Sequence, residues 1–176
     1  MPLTQVQAGM LASGVPTRAQ LPAGCVLQIA TNTFDGVTTA NTTGAPSIIT
    51  NGTQIFSTSF TPTSASNVIL VQTSTIVISE ESNSGDMGWL ALWDGSTFIA
   101  ANSGTASFGR YVGNLNVTHV SLNNSYVAGS TSTRTISVRA GFNAGSVIYV
   151  NGNNGSGSNY TGSSARIQMT VWEIAA

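Results

Sequence analysis

Residues 67–79 read NVILVQTSTIVIS, the longest apolar run in the chain. Four aliphatics, Val68 to Val71, open it, and Ile76, Val77 and Ile78 close it around a hydroxyl-rich middle. At both ends aliphatics fall on both alternating sets of positions, so the run reads as a central strand buried on both sides for part of its length. It falls short of the roughly 18 apolar residues that would mark a membrane span.

Outward from this run the pattern stays β. Residues 53–61 alternate Ile55, Ser57, Ser59 and Thr61 with Gln54, Phe56, Thr58 and Phe60, and Pro62 ends the run. Residues 133–140 set Ile136, Val138 and Ala140 against Thr135, Ser137 and Arg139. Asp94-Gly95 between two apolar runs reads as a type I′ hairpin turn, which needs positive φ at both central positions. Further strands are expected at 25–31, 117–122, 125–128, 146–150 and 166–174. That makes nine or ten short strands with no βαβ spacing and no internal repeat. The predicted fold is all-β, a jelly-roll-like antiparallel β-sandwich.

The helix signal is confined to 4–13, with Thr4 as N-cap and Gly14 as stop. Pro16 and Pro22 keep the following segment extended. Residues 1–22 are therefore expected to form a docking arm, and 23–176 the sandwich.

The 176-residue chain is 41% hydrophobic but only 6% charged, against about 25% charged in a typical soluble domain. It contains no lysine, and its net charge is −1. Five scattered arginines cannot neutralise many phosphates, so nucleic acid is not an expected partner. Near-zero charge does little to keep copies apart, which favours life in an assembly. Membrane insertion is not expected, and the N-terminus lacks the basic start and apolar core of a secretory signal. Synthesis in a bacterial cytoplasm is expected, in keeping with one unpaired cysteine, Cys25.

Catalytic constellations are sparse. His119 is the sole histidine and lies in a strand pattern, and no G-x-S-x-G elbow accompanies it. One His and one Cys cannot supply a zinc site. Glu80, Glu81 and Asp86 crowd one expected loop, but their spacing matches no calcium loop. No catalytic residue, metal or cofactor is assigned, and the chain is expected not to be an enzyme.

Residues 21–28, LPAGCVLQ, resemble the PAG-x-V-L-Q opening of small β domains at the ends of tail-fibre and other surface proteins of tailed phages. The block Val147–Asn151 with its Gly/Asn/Tyr-rich sequel is similar to that family, as is the ending 167–174, IQMTVWEI, with its Glu-Ile close. Met10 to Gly14 is similar to linkers before such domains. The resemblance covers roughly 10–176. It implies a homotrimeric, jelly-roll-like sandwich carried on a virion, and it carries over no catalytic residue.

With only about two dozen residues before the sandwich, a shafted fibre is less expected than a capsid decoration or cement protein. Leu3, Val6, Met10, Leu11, Val15 and Leu21 are the expected anchors of the arm on a major capsid protein or another virion protein. Phe98, Phe108, Tyr111 and Phe142 are expected at an uncharged trimer interface, where no ion must be desolvated. A short fibre or receptor-binding tip, or a free lectin-like module, would instead use Glu80, Glu81, Asp86 and Tyr160 as distal contacts to a host-surface glycan. Trp93 and Tyr126 are read either as further ligand contacts or as caps on the sandwich.

Overall fold

A computed structural model describes residues 21–40, 51–74, 76–81, 88–103, 116–142, 147–151 and 166–176. The side chains at 39, 76–81, 100–103, 116–119, 142 and 147–148 lie outside that description. The described elements are all strands: β1 (Val26–Phe34), β2 (Thr38–Ala40), β3 (Thr53–Phe60), β4 (Val68–Thr73), β5 (Ile76–Glu81), β6 (Gly88–Asp94), β7 (Thr97–Ser103), β8 (Asn116–Val120), β9 (Asn123–Val127), β10 (Arg134–Phe142), β11 (Val147–Val150) and β12 (Ile167–Ile174).

Three antiparallel sheets follow the orders β1-β12-β4-β9, β3-β10-β6-β7 and β2-β11-β5-β8. The third sheet repeats the order of the first with strands adjacent to them in the chain, so the two read as one long sheet broken across its middle. Renumbering the eight strands of the first two sheets in chain order gives 1-8-3-6 and 2-7-4-5, the jelly-roll wrap. The central run at 67–79 is indeed interior to its sheets, but as β4 and β5 rather than as one strand.

Hydroxyls seal the break. The Leu122 N–H donates to Thr73 Oγ1 (2.8 Å), and the Thr73 N–H donates to the Leu122 carbonyl (2.8 Å). On the other side of β4, the Gln168 N–H donates to Ser74 Oγ (2.8 Å), and the Ser74 N–H to the Gln168 carbonyl (2.8 Å). Side-chain oxygens thus stand in for carbonyls that the interrupted ladder does not supply, as buried backbone donors require.

Alternation builds the core. In β12, Ile167, Met169, Val171 and Glu173 are buried, while Gln168, Thr170, Trp172 and Ile174 face outward. Ile69 and Val71 join them from β4, against Phe56, Phe60, Leu90, Leu92, Ile136 and Val138 of the second sheet. Phe34 stacks on Phe56 across the sandwich, with ring centroids 6.0 Å apart.

Both open sides of the sandwich are stitched by amide side chains. From edge strand β1, Gln28 Nε2 donates to the Thr61 carbonyl (2.7 Å) and Asn32 Nδ2 to the Ser57 carbonyl (2.6 Å). On the far side, Asn124 Nδ2 of β9 donates to the Ile99 carbonyl of β7 (2.9 Å). Edge carbonyls that could template another strand are thereby occupied.

Among the described residues, β6 is buried on both faces. Leu90 and Leu92 face the core, and Trp89, Ala91 and Trp93 form a second buried cluster on the opposite face. Trp89 lies against the backbone of Gly141, its cross-strand partner, and of Gly52, whose φ is +79°. A Cβ at either glycine would collide with the indole. The β6–β7 turn also differs from expectation. Asp94 pairs with Thr97, so the turn residues are Gly95 and Ser96, and of these only Gly95 has positive φ (54°). That is the type II′ pattern, with glycine first. Gly141→Ala should overpack this contact and lower unfolding stability by about 1–3 kcal/mol in urea titration, while the inverse case, Gly95→Asn, should cost less.

Candidate interaction surface

Glu173 is the one buried charged side chain among the described residues, at 0% exposure. Its Oε1 accepts hydrogen bonds from the Thr63 N–H (2.7 Å), Thr63 Oγ1 (2.8 Å), Asn67 Nδ2 (2.6 Å) and the Ser64 N–H (3.3 Å). Its Oε2 accepts from Gln28 Nε2 (2.7 Å). Burial alone would raise the carboxyl pKa, but the bonds from Asn67, Thr63 and Gln28 outweigh it and hold the pKa below the ordinary value. The two chain ends described meet beside it, where the Gly24 N–H donates to the Ala175 carbonyl and the Ala175 N–H to the Cys25 carbonyl. Gln28 and Glu173 thus touch although they stand 145 residues apart in the chain. With both oxygens of Glu173 engaged and the side chain buried, this cluster is a structural lock.

A second polar cluster closes the same end. Arg134 Nη1 pairs with Asp94 Oδ2 at 2.7 Å, the two side chains being 13% and 11% exposed. Tyr126 donates its hydroxyl to the same Asp94 oxygen (3.0 Å). Burial, and then the Asp94 charge, push the Tyr126 phenol well above its ordinary pKa. Arg134 Nη2 also reaches the Ala128 and Ser130 carbonyls and Ser130 Oγ.

The outer face of the β1-β12-β4-β9 sheet is different in kind. One row across it runs Val26, Ile174, Val68, Val127, and the next runs Ile29, Trp172, Leu70, Ser125. Val26, Ile29 and Val127 are 52%, 57% and 61% exposed. The following rows carry Thr31, Thr170, Gln72 and Asn123, then Thr33 and Gln168 beside Ser74. No ionisable side chain interrupts these rows. Contiguous apolar surface rimmed by neutral polar groups is the usual mark of an interaction site.

The residues expected to act from sequence are scattered. Leu3, Val6, Met10, Leu11 and Val15 lie outside the described residues, and Leu21 is half-buried at a bend. Phe98 is partly exposed on β7 and meets Trp93 edge to face at 5.6 Å. Phe108 and Tyr111 lie outside the described residues, and Phe142 ends β10. Glu80 and Glu81 were expected in a loop but are the last residues of β5, paired with Ile148 and Val147, because the run from Ile76 extends two residues further. Asp86 and Tyr160 lie outside the described residues. His119 pairs with Val77 in β8–β5. Trp93 is 2% exposed, and Tyr126 points inward to Asp94, so neither is a surface ligand contact; Tyr126 caps the sandwich. Cys25 is half-buried and forms no disulfide. The apolar rows on β1, β4, β9 and β12 were missed, although alternation of Ile174 and Trp172 with Glu173 carries their signal.

No protein-family model matches the chain, and no curated protein matches it. Among solved structures it is similar to the VP2 subviral particle of infectious bursal disease virus, with 12% identity and a TM-score of 0.39 over 100% of this chain and 42% of that one. It is similar to T=1 particles derived from infectious bursal virus (12% identity, TM-score 0.41, 100% and 41% covered). It is also similar to the Gx strain of infectious bursal disease virus (13%, TM-score 0.33, 85% and 37%). The chain spans less than half the length of these chains.

The Glu173 lock makes stability pH-dependent. Its folded pKa is depressed, so its contribution is complete above the unfolded value near 4.5 and fades as pH falls through the folded pKa. Glu173→Gln loses the bond from Gln28, which cannot turn its amide without setting its oxygen against the Thr61 carbonyl. The variant should be about 1.5–3 kcal/mol less stable at pH 7 in urea unfolding, and the gap should narrow as pH falls through the depressed folded pKa.

Proposed function

We propose that this chain is a structural protein of a virus particle, exposed on its surface, which works by self-association and docking and not by catalysis. The observation that carries the reading is the Val26–Ile174–Val68–Val127 row, exposed at Val26 and Val127, with exposed Ile29 beside it, in rows that carry no ionisable group. Such a face can be covered by another uncharged surface with no ion to desolvate. The low-charge composition supports the same reading, and the phage-like stretches at 21–28 and 167–174 favour a tailed-phage particle. Within that reading the chain is a homotrimeric capsid decoration or cement protein, its residues 1–22 anchoring it to the capsid protein. Phe98, exposed on the other sheet, remains a candidate for contact between copies.

The experiment is a pair of variants. Ile29→Glu with Val127→Glu places charge on the apolar rows without touching the core. Sedimentation equilibrium should show a trimer for the parent chain and a monomer with unchanged circular dichroism for the variant. A monomeric parent chain refutes the reading. Deleting residues 1–20 should leave the trimer intact but abolish binding to protein-depleted particles and lower their heat stability. If particles lacking the whole protein stay heat-stable and instead fail to adsorb to cells, the chain is a receptor-binding tip.

A further inference from the structure

Next to its break, the outer face of the first sheet carries a groove of about 270 Å³ lined by Gln72, Thr73, Ser74, Gln168, Thr170 and Trp172. The hollow has a structural origin. β4 ends at Thr73 and β5 begins at Ile76, so the sheet is interrupted there, while β12 continues alongside.

We propose that this groove binds a neutral sugar unit of a glycan. None of the six lining residues is ionisable, so nothing there would offset the charge of a phosphate, sulfate or sialic acid. What the lining offers is two primary amides, the hydroxyls of Ser74 and Thr170, and one indole, the Thr73 hydroxyl being buried against Leu122. A planar amide presents two donors and an acceptor, which suits the vicinal hydroxyls of a pyranose. The side-chain amides of Gln72 and Gln168 are exposed and have no hydrogen-bond partner among the described residues. Ser74 Oγ already accepts from the Gln168 N–H, which leaves its own hydrogen free to donate. Trp172 is half-buried, so its ring is held by the sheet and still reaches the groove. An indole face packs against the C–H face of a sugar ring, the apolar side of an otherwise polar molecule.

The site is also preformed. Thr170 pairs directly with Gln72, and two bonds tie Ser74 to Gln168, one from the Ser74 N–H to the Gln168 carbonyl and one from the Gln168 N–H to Ser74 Oγ. Rigid strands position such groups more accurately than loops do. The inference does not rest on self-association. The Val26–Ile174–Val68–Val127 row lies six residues along β12 from Gln168, about 20 Å in an extended strand, so contacts centred on that row leave Gln72, Ser74 and Gln168 clear, while Trp172, the cross-strand partner of Ile29, lies where the two surfaces adjoin.

The test is a nitrogen-15 NMR titration of the full chain with methyl glycosides of glucose, galactose, mannose and N-acetylglucosamine, and with N-acetylneuraminic acid as the charged counterpart. At least one neutral glycoside should give saturable shifts at the Gln72 and Gln168 side-chain amides and the Trp172 indole N–H, at millimolar concentration. The acidic sugar should not. Q72A/Q168A removes only exposed amides and should weaken binding about tenfold with the backbone spectrum unchanged. W172A, made separately, should abolish it. The proposal is overturned by the absence of a saturable shift with every neutral glycoside, by equal binding of the acidic sugar, or by undiminished binding in Q72A/Q168A. Sedimentation of the same samples reads oligomeric state independently.

Discussion

One buried carboxylate organises an entire end of this sandwich. Glu173 sits inside the last strand with no solvent contact, and five donors converge on it. From there hydrogen bonds pass around the pole in both directions. Asn67 donates to Glu173 and accepts at its carbonyl from the Ala128 N–H; the Ala128 carbonyl accepts from Arg134. Gln28 donates to Glu173 and to the Thr61 carbonyl, and Thr61 meets Thr133, the neighbour of Arg134. The ring therefore closes on itself and joins strands of both sheets. An unpaired buried carboxylate would be costly, so each donor's position is constrained by the others.

The same economy explains the composition. In a chain with almost no ionic side chains, Asn, Gln, Ser and Thr take the structural roles. They stitch the open sides through Gln28, Asn32 and Asn124, and they seal the sheet break through Thr73 and Ser74. The exposed Asp35–Arg166 pair at 3.3 Å adds little by comparison, since both partners are solvated. The consequence is a run of adjacent rows on one sheet face with no ionisable group, and on that property both proposals depend. Its apolar rows suit another copy, and its amide-and-indole groove suits an uncharged polyol.

Local patterns were legible where one strand face is buried. The alternation at 53–61 and 133–140 marks β3 and β10, and the apolar runs around Asp94-Gly95 mark β6 and β7. Illegible features depend on contacts distant in sequence. The break after Thr73 is sealed by hydroxyls meeting Leu122 and Gln168, dozens of residues away, and nothing in NVILVQTSTIVIS alone announces it. Gln28 and Glu173 are 145 residues apart, so their bond is invisible to any local window. The turn shifted by one residue because the strand pairing, not the dipeptide, set which residues turn. For the interaction surface, attention fell on loops and phenylalanines, while the outward set of β12, Gln168, Thr170, Trp172 and Ile174, carried the more informative chemistry.

The most direct test is an electron-microscopy reconstruction, at side-chain resolution, of a particle carrying this chain. The account predicts that Val26, Ile29 and Val127 lie against neighbouring copies of the same protein around a three-fold axis, shielded from solvent. A reconstruction in which that sheet face is bathed in solvent, with copies joined through other surfaces or not joined at all, would contradict it.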